Sequence, residues 1–144
     1  MSDVHNLGRF VDAQEHQYES AIQQLRNGMK QGHWMWYIFP QIEGLGKSDS
    51  SKLYAIKTLE EAKAYYDHPV LGSRLQECTR AVLDINGRTT KQIFGCTDNV
   101  KFRSCMTLFD CAIDDGLFRD ALNKYFGGEA DQRTLNILKC AAEW

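Results

Sequence analysis

Asp98-Asn99-Val100-Lys101-Phe102-Arg103-Ser104-Cys105-Met106-Thr107-Leu108-Phe109-Asp110-Cys111-Ala112 is the stretch whose reading decides the fold. Cys105, Leu108, Phe109 and Ala112 recur at three- and four-residue spacing, so they share one face of a helix. Asp98 is placed to cap that helix. The same period continues outward in both directions. Toward the C-terminus, Leu117, Phe118, Ala121, Leu122, Tyr125 and Phe126 repeat it up to Gly127-Gly128. Asp131 can then cap a last helix with Leu135, Leu138 and Ala142 inward. Toward the N-terminus, Thr90–Phe94 reads as a short turn of helix stopped by Gly95. Leu71, Leu75, Cys78 and Val82 form a stripe that follows Pro69 and ends before Gly87. Thr58 and Glu61 have capping-box spacing and open a helix to about Tyr66. Val11, Gln14, Tyr18, Ala21, Ile22 and Leu25 lie on one face of a helix that stops at Gly28. No segment alternates as a strand does. The fold class expected is all-α: one compact domain over residues 1–144, six or seven short helices around one core, with residues 1–8 loosely ordered.

The composition excludes several classes of function. Seventeen Lys and Arg against nineteen Asp and Glu give a net charge of −2, which leaves no basic excess for a nucleic-acid backbone. No apolar run approaches the ~20 residues of a membrane helix, and the N-terminus lacks the apolar segment of a targeting peptide. The expectation is a cytoplasmic protein with neither a nucleic-acid nor a membrane partner. Cys78, Cys96, Cys105, Cys111 and Cys140 are odd in number and unpaired in spacing, and the four histidines have no ligand spacing. Reduced thiols, no metal and no cofactor are expected.

Two features carry what chemistry the sequence suggests. The first is the aromatic segment Lys30-Gln31-Gly32-His33-Trp34-Met35-Trp36-Tyr37-Ile38-Phe39-Pro40-Gln41. It reads as a peg buried on all sides, or as a peg in which His33, Trp36 and Tyr37 also wall a small-molecule pocket. Gly44-Leu45-Gly46-Lys47-Ser48 follows. Its end matches a phosphate loop, but Gln41 stands where the first glycine belongs and no strand precedes it. It is read as a tight turn, with a small anion nest as the alternative. The second feature is a pair of cations, Arg74 and Lys101, each near a predicted helix start, where the macrodipole disfavours it. Either their stems are buried and their heads paired, Lys101 with Asp98, or both heads converge on an anion.

The block His33-Trp34-Met35-Trp36, Phe39-Pro40-Gln41, Gly44-Leu45-Gly46 and Ser48 resembles the signature of the uncharacterised bacterial family DUF1810. The similarity continues through His68-Pro69, Arg74-Leu75, Ile93-Phe94-Gly95, Asp98, Lys101, Ser104 and Thr107-Leu108-Phe109. It covers almost the whole chain. The resemblance implies a compact, mainly helical domain and no established activity. Some members carry a calpastatin label, which does not suit a chain 11% aromatic with a continuous core pattern.

Two functional readings follow. In one, the chain binds and can process a small anionic, phosphate-bearing metabolite of nucleotide-like or ADP-ribose-like type. Catalytic candidates are then His33, Asp98 and Lys101, and ligand-binding candidates are Arg74, Lys101, Ser104, Trp36, Gln41, Gly44 and Gly46. In the other, it is a non-catalytic ligand-binding or protein-interaction module. A serine-hydrolase elbow and a metal-hydrolase cluster are both missing from the sequence.

Titration of the freshly unfolded chain should return five free thiols, and reductant should leave the native melting temperature unchanged. Fewer than five thiols, with a reductant-sensitive melt, would overturn the reduced assignment.

Overall fold

Helix α7, Thr90–Ala112, runs through the middle of the molecule. Phe102, Cys105, Met106, Leu108 and Phe109 on it have no exposed surface, and Ser104 and Thr107 are also buried. The stretch Phe102–Phe109, buried on nearly every side, must be covered by other helices, and α7 packs against α5 (Leu59–Asp67), α8 (Leu117–Phe126) and α9 (Gln132–Ala142). Helix α6 (Leu71–Leu83) packs on α2 (Tyr18–Arg26), α5 and α8. Helix α1 (Gly8–Gln14) packs on the one-turn α3 (Met35–Ile38), and α4 (Asp49–Leu53) completes the set. The computed structural model describes residues 3–142, with side chains to Lys139. Among the described residues there is no strand, only an isolated parallel bridge between Ile42 and Ile56.

The all-α class and the single core follow the periodicity, but nine helices are described where six or seven were expected. The helix read through Val11 to Leu25 is two. Helices α1 and α2 dock on different partners, so the chain turns at Glu15–Gln17 although the apolar spacing carries straight on. Helices α3 and α4 are four and five residues long, too short for a 3.6-residue period to register. The turn read at Thr90–Phe94 and the helix read from Asp98 are one run, interrupted at Gly95 (φ 90°, ψ 169°), a conformation that needs glycine. Asp98 is therefore not an N-cap but lies in the first turn after that break.

The caps show which local signals were complete. The capping box with both arms is Thr89 with Gln92. At Thr58 only one arm forms: its hydroxyl accepts from Glu61 N, while the Glu61 carboxylate accepts from Lys57 N and pairs with Arg9. Asp131 caps α9 through Thr134 N at 3.1 Å. From Asp3 onward the N-terminal segment is folded into turns. Asp3 accepts from the amides of Leu7 and Gly8, both at 2.7 Å, and these bonds hold its carboxyl below the usual range.

Arg9 locks this segment to the body. Its guanidinium donates to the carbonyls of His5, Asn6, Leu53 and Ala55 and to Glu61 Oε2 at 2.7 Å, which occupies all five N–H groups. The side chains are 11% and 3% exposed, so the ion pair is shielded from water.

Arg9→Met should destabilise the fold by about 3–5 kcal/mol, because it strands the Glu61 charge in the interior. The double change Arg9→Met/Glu61→Met should recover part of that loss. Urea denaturation of both variants is the measurement; additive losses would show that the pair does not act as a unit.

Candidate functional site

The break at Gly95 sets up the most charged interior cluster. Asp98, in the turn that follows, places its carboxylate at the positive end of the second half of α7, where the dipole favours it. Oδ1 receives Lys101 Nζ at 2.8 Å and Oδ2 receives Lys30 Nζ at 2.8 Å. Burial works to raise the Asp98 carboxyl's pKa, but the hydrogen bonds and charges of Lys101 and Lys30 outweigh it and hold the pKa below the ordinary value. The three side chains are 6% (Lys30), 17% (Asp98) and 18% (Lys101) exposed.

Each lysine also meets an indole. Lys30 lies 5.1 Å from the centre of the Trp34 ring and Lys101 lies 4.0 Å from that of Trp36. The two tryptophans differ in role, which corrects the reading of the segment as a peg buried all round. Trp34 is 1% exposed, donates to Gln24 Oε1 at 2.8 Å and packs near Phe39, which meets Phe94 and Phe102 edge-on. Trp36 and Tyr37 are only half-buried and His33 is exposed.

The Gly44–Ser48 loop closes over Trp36. A Cβ at Gly46 would stand 2.6 Å from Ser51 Cβ and 3.9 Å from the far edge of the Trp36 ring, so the loop passes between them only as glycine. Gly44 (φ 105°) lies against Ile137 of α9, and Arg133 donates to Leu45 O at 2.7 Å. Ser48 caps α4 by accepting from Ser51 N, and Lys47 is exposed. Gln41 contributes its carbonyl to the bridge with Ile56 N at 2.8 Å.

The structure brings Asp98, Lys101, Trp36 and Gly46 together. Other candidates have their heads engaged elsewhere. Arg74 donates to Gln14 Oε1 at 3.3 Å and covers the Tyr18 ring at 4.8 Å, sharing no partner with Lys101. Gln14 in turn donates to Tyr37 O and Tyr65 Oη. Ser104 is buried, and its hydroxyl is taken by Val100 O and by Asp131 Oδ2 at 3.0 Å. His33 makes no side-chain hydrogen bond among the described residues. Lys30 is the member that sequence reasoning missed. Gly28 ends α2 just before it, and only the chain reversal, with Lys30 N donating to Ile93 O, carries it to Asp98. The lysine does open the aromatic segment, the one local hint available.

The family model described as "Protein of unknown function (DUF1810)" matches residues 4–138. The chain belongs to the DUF1810 family. A solved structure, that of the conserved hypothetical protein Rv1873 from Mycobacterium tuberculosis at 1.38 Å, is 48% identical to this DUF1810 chain. Their TM-score is 0.94, with 95% of this chain and 99% of that one covered. No curated protein matches. Among the described residues of this DUF1810 protein, no helix is long and apolar enough to cross a membrane.

Trp34→Ala should cost about 3–5 kcal/mol, the usual loss for a buried aromatic. Trp36→Ala should cost clearly less and leave the fold intact. Equal losses in urea denaturation would place Trp36 in the core after all.

Proposed function

We propose that this DUF1810 chain binds a small anionic, phosphate-bearing metabolite, nucleotide-like or ADP-ribose-like, at the Lys30–Asp98–Lys101–Trp36 cluster. The observation that carries this reading is the charge count. One carboxylate serves two ammonium groups, one oxygen to each, so a largely buried cluster keeps one net positive charge. A shielded cation without a full partner is costly, and phosphate oxygens at Lys101 would supply the missing charge with short, charge-assisted hydrogen bonds. Two neighbours support the choice of ligand. Half-buried Trp36 offers an aromatic wall for a base-like ring. The amides of residues 44–47 beside it make no backbone hydrogen bond among the described residues, which leaves donors for an oxyanion.

The test is the melting temperature with phosphate, pyrophosphate, AMP and ADP-ribose. A ligand at about 100 times its dissociation constant stabilises by about 2.7 kcal/mol, roughly a 10 °C rise for a chain of this size. AMP or ADP-ribose should raise the melting temperature of the parent. Lys101→Met should fold, because Lys30 still pairs Asp98, and should lose the response. Arg74→Met, which alters only the Gln14–Tyr18 contact, should keep it. A parent indifferent to all four compounds, or a Lys101→Met variant that responds as the parent does, overturns the reading.

A further inference from the structure

A groove of about 720 Å³ lies between the end of α2 and the outer face of α6, away from the Lys101 cluster. Its size is that of a small-molecule site. Three arginines, Arg26, Arg80 and Arg88, and two carboxylates, Glu77 and Asp84, line it. Arg26 is satisfied by Glu77 at 3.0 Å. Arg80 and Arg88 make no side-chain hydrogen bond or ion pair among the described residues, although Asp84 stands one helical turn beyond Arg80.

These two guanidinium groups are not explained by the helix end beside them. Cations gather at helix C-termini to cover the last carbonyls, but α8 already bonds the Val82 and Leu83 carbonyls at the end of α6. Lys124 Nζ donates to Leu83 O and Ile85 O, and the one Tyr125 hydroxyl hydrogen is shared between Val82 O and Ile85 O. Arg88 reaches the groove across Gly28. Its stem lies against Gly28, where a Cβ would come within 3.3 Å of both Cδ and Nε. The exposed Arg88 side chain thus runs past Gly28 along the groove wall, with no charge partner among the described residues.

The lining specifies the ligand. Two guanidinium groups without a protein partner among the described residues, lining one groove, suit a phosphate, which guanidinium groups bind through several parallel N–H donors. Asp84 is an acceptor only, so the same ligand must carry hydroxyl donors, and Asn27, Gln76 and Asn86 add amides that pair with hydroxyls in either sense. No aromatic side chain lines the groove, so nothing there would hold a nucleobase. We propose that this groove binds a phosphorylated sugar or polyol, its phosphate on Arg80 and Arg88 and its hydroxyls on Asp84 and the neighbouring amides.

Amide chemical shifts of the full chain, titrated with glucose 6-phosphate, glucose and inorganic phosphate, test the assignment. Glucose 6-phosphate should shift Asn27, Gly28 and Ile85–Arg88 and bind more tightly than either of its halves. The exposed double variant Arg80→Gln/Arg88→Gln should fold and lose at least about tenfold in affinity, the effect of removing charged hydrogen bonds. Lys101→Met should bind as the parent does, which separates this site from the one proposed above. Absence of shifts at Asn27–Gly28 and Ile85–Arg88 with millimolar glucose 6-phosphate overturns the proposal. So does equal affinity for inorganic phosphate, or unchanged binding in the double variant.

Discussion

The burial of α7 is the constraint on which the rest depends. From Phe102 to Phe109 only Arg103 reaches appreciable solvent, so no amphipathic compromise is open to this segment: other helices must enclose it. Its two buried polar members, Ser104 and Thr107, show how complete the enclosure is. Thr107 donates to Arg103 O and accepts from Asp131 N, and Ser104 shares its one hydroxyl hydrogen between Val100 O and Asp131 Oδ2. The cap of α9 is thereby bonded to the central helix. Asp131 has only hydroxyl and amide donors on that oxygen, and Thr134 supplies two of them. Buried polar groups tied to one another in this way orient the helices that carry them, because any other orientation leaves a donor or acceptor unmet.

Charge is handled by the same logic at two other places. Arg9 gathers two chain segments, His5–Asn6 and Leu53–Ala55, and Glu61 into one five-donor node, and Asp98 gathers two lysines and, through them, two indoles. The first node balances: one cation, one carboxylate, every N–H used. The second does not, and that asymmetry separates a structural clamp from a candidate site. The loop at Gly44–Ser48, pinned by Arg133, brings amides that make no backbone hydrogen bond among the described residues toward Trp36, whose ring also meets Lys101.

Much of the local structure was legible. The stripe of Leu71, Leu75, Cys78 and Val82 is buried, Asp131 is a cap, and Gly28, Gly95 and Gly127 stand at helix ends or breaks. These are signals between residues within one or two turns, which the chain carries wherever it goes. Where the reading failed, the deciding partner was remote. The Thr58–Glu61 spacing has the form of a capping box, yet Glu61 turns to Lys57 and to Arg9, 52 residues away. Trp34 and Trp36 are two residues apart in an apolar run, and nothing local says that Gln24 and Phe39 bury one while Lys101 covers the other.

By itself, then, the sequence determined the helical class, the longer helices and several of their ends, because hydrophobic period, caps and glycine breaks act over a few residues and need no knowledge of the rest. It also placed Asp98 and Lys101 together, since three residues on a helix bring side chains onto one face. Only the tertiary structure decided which cations converge. Lys30 joins Asp98 because the chain doubles back after Gly28, and Arg74 is drawn instead to Gln14 and Tyr18 because α6 packs against α2. A long charged side chain takes the nearest partner that folding presents, and that partner is set by helix packing rather than by spacing along the chain.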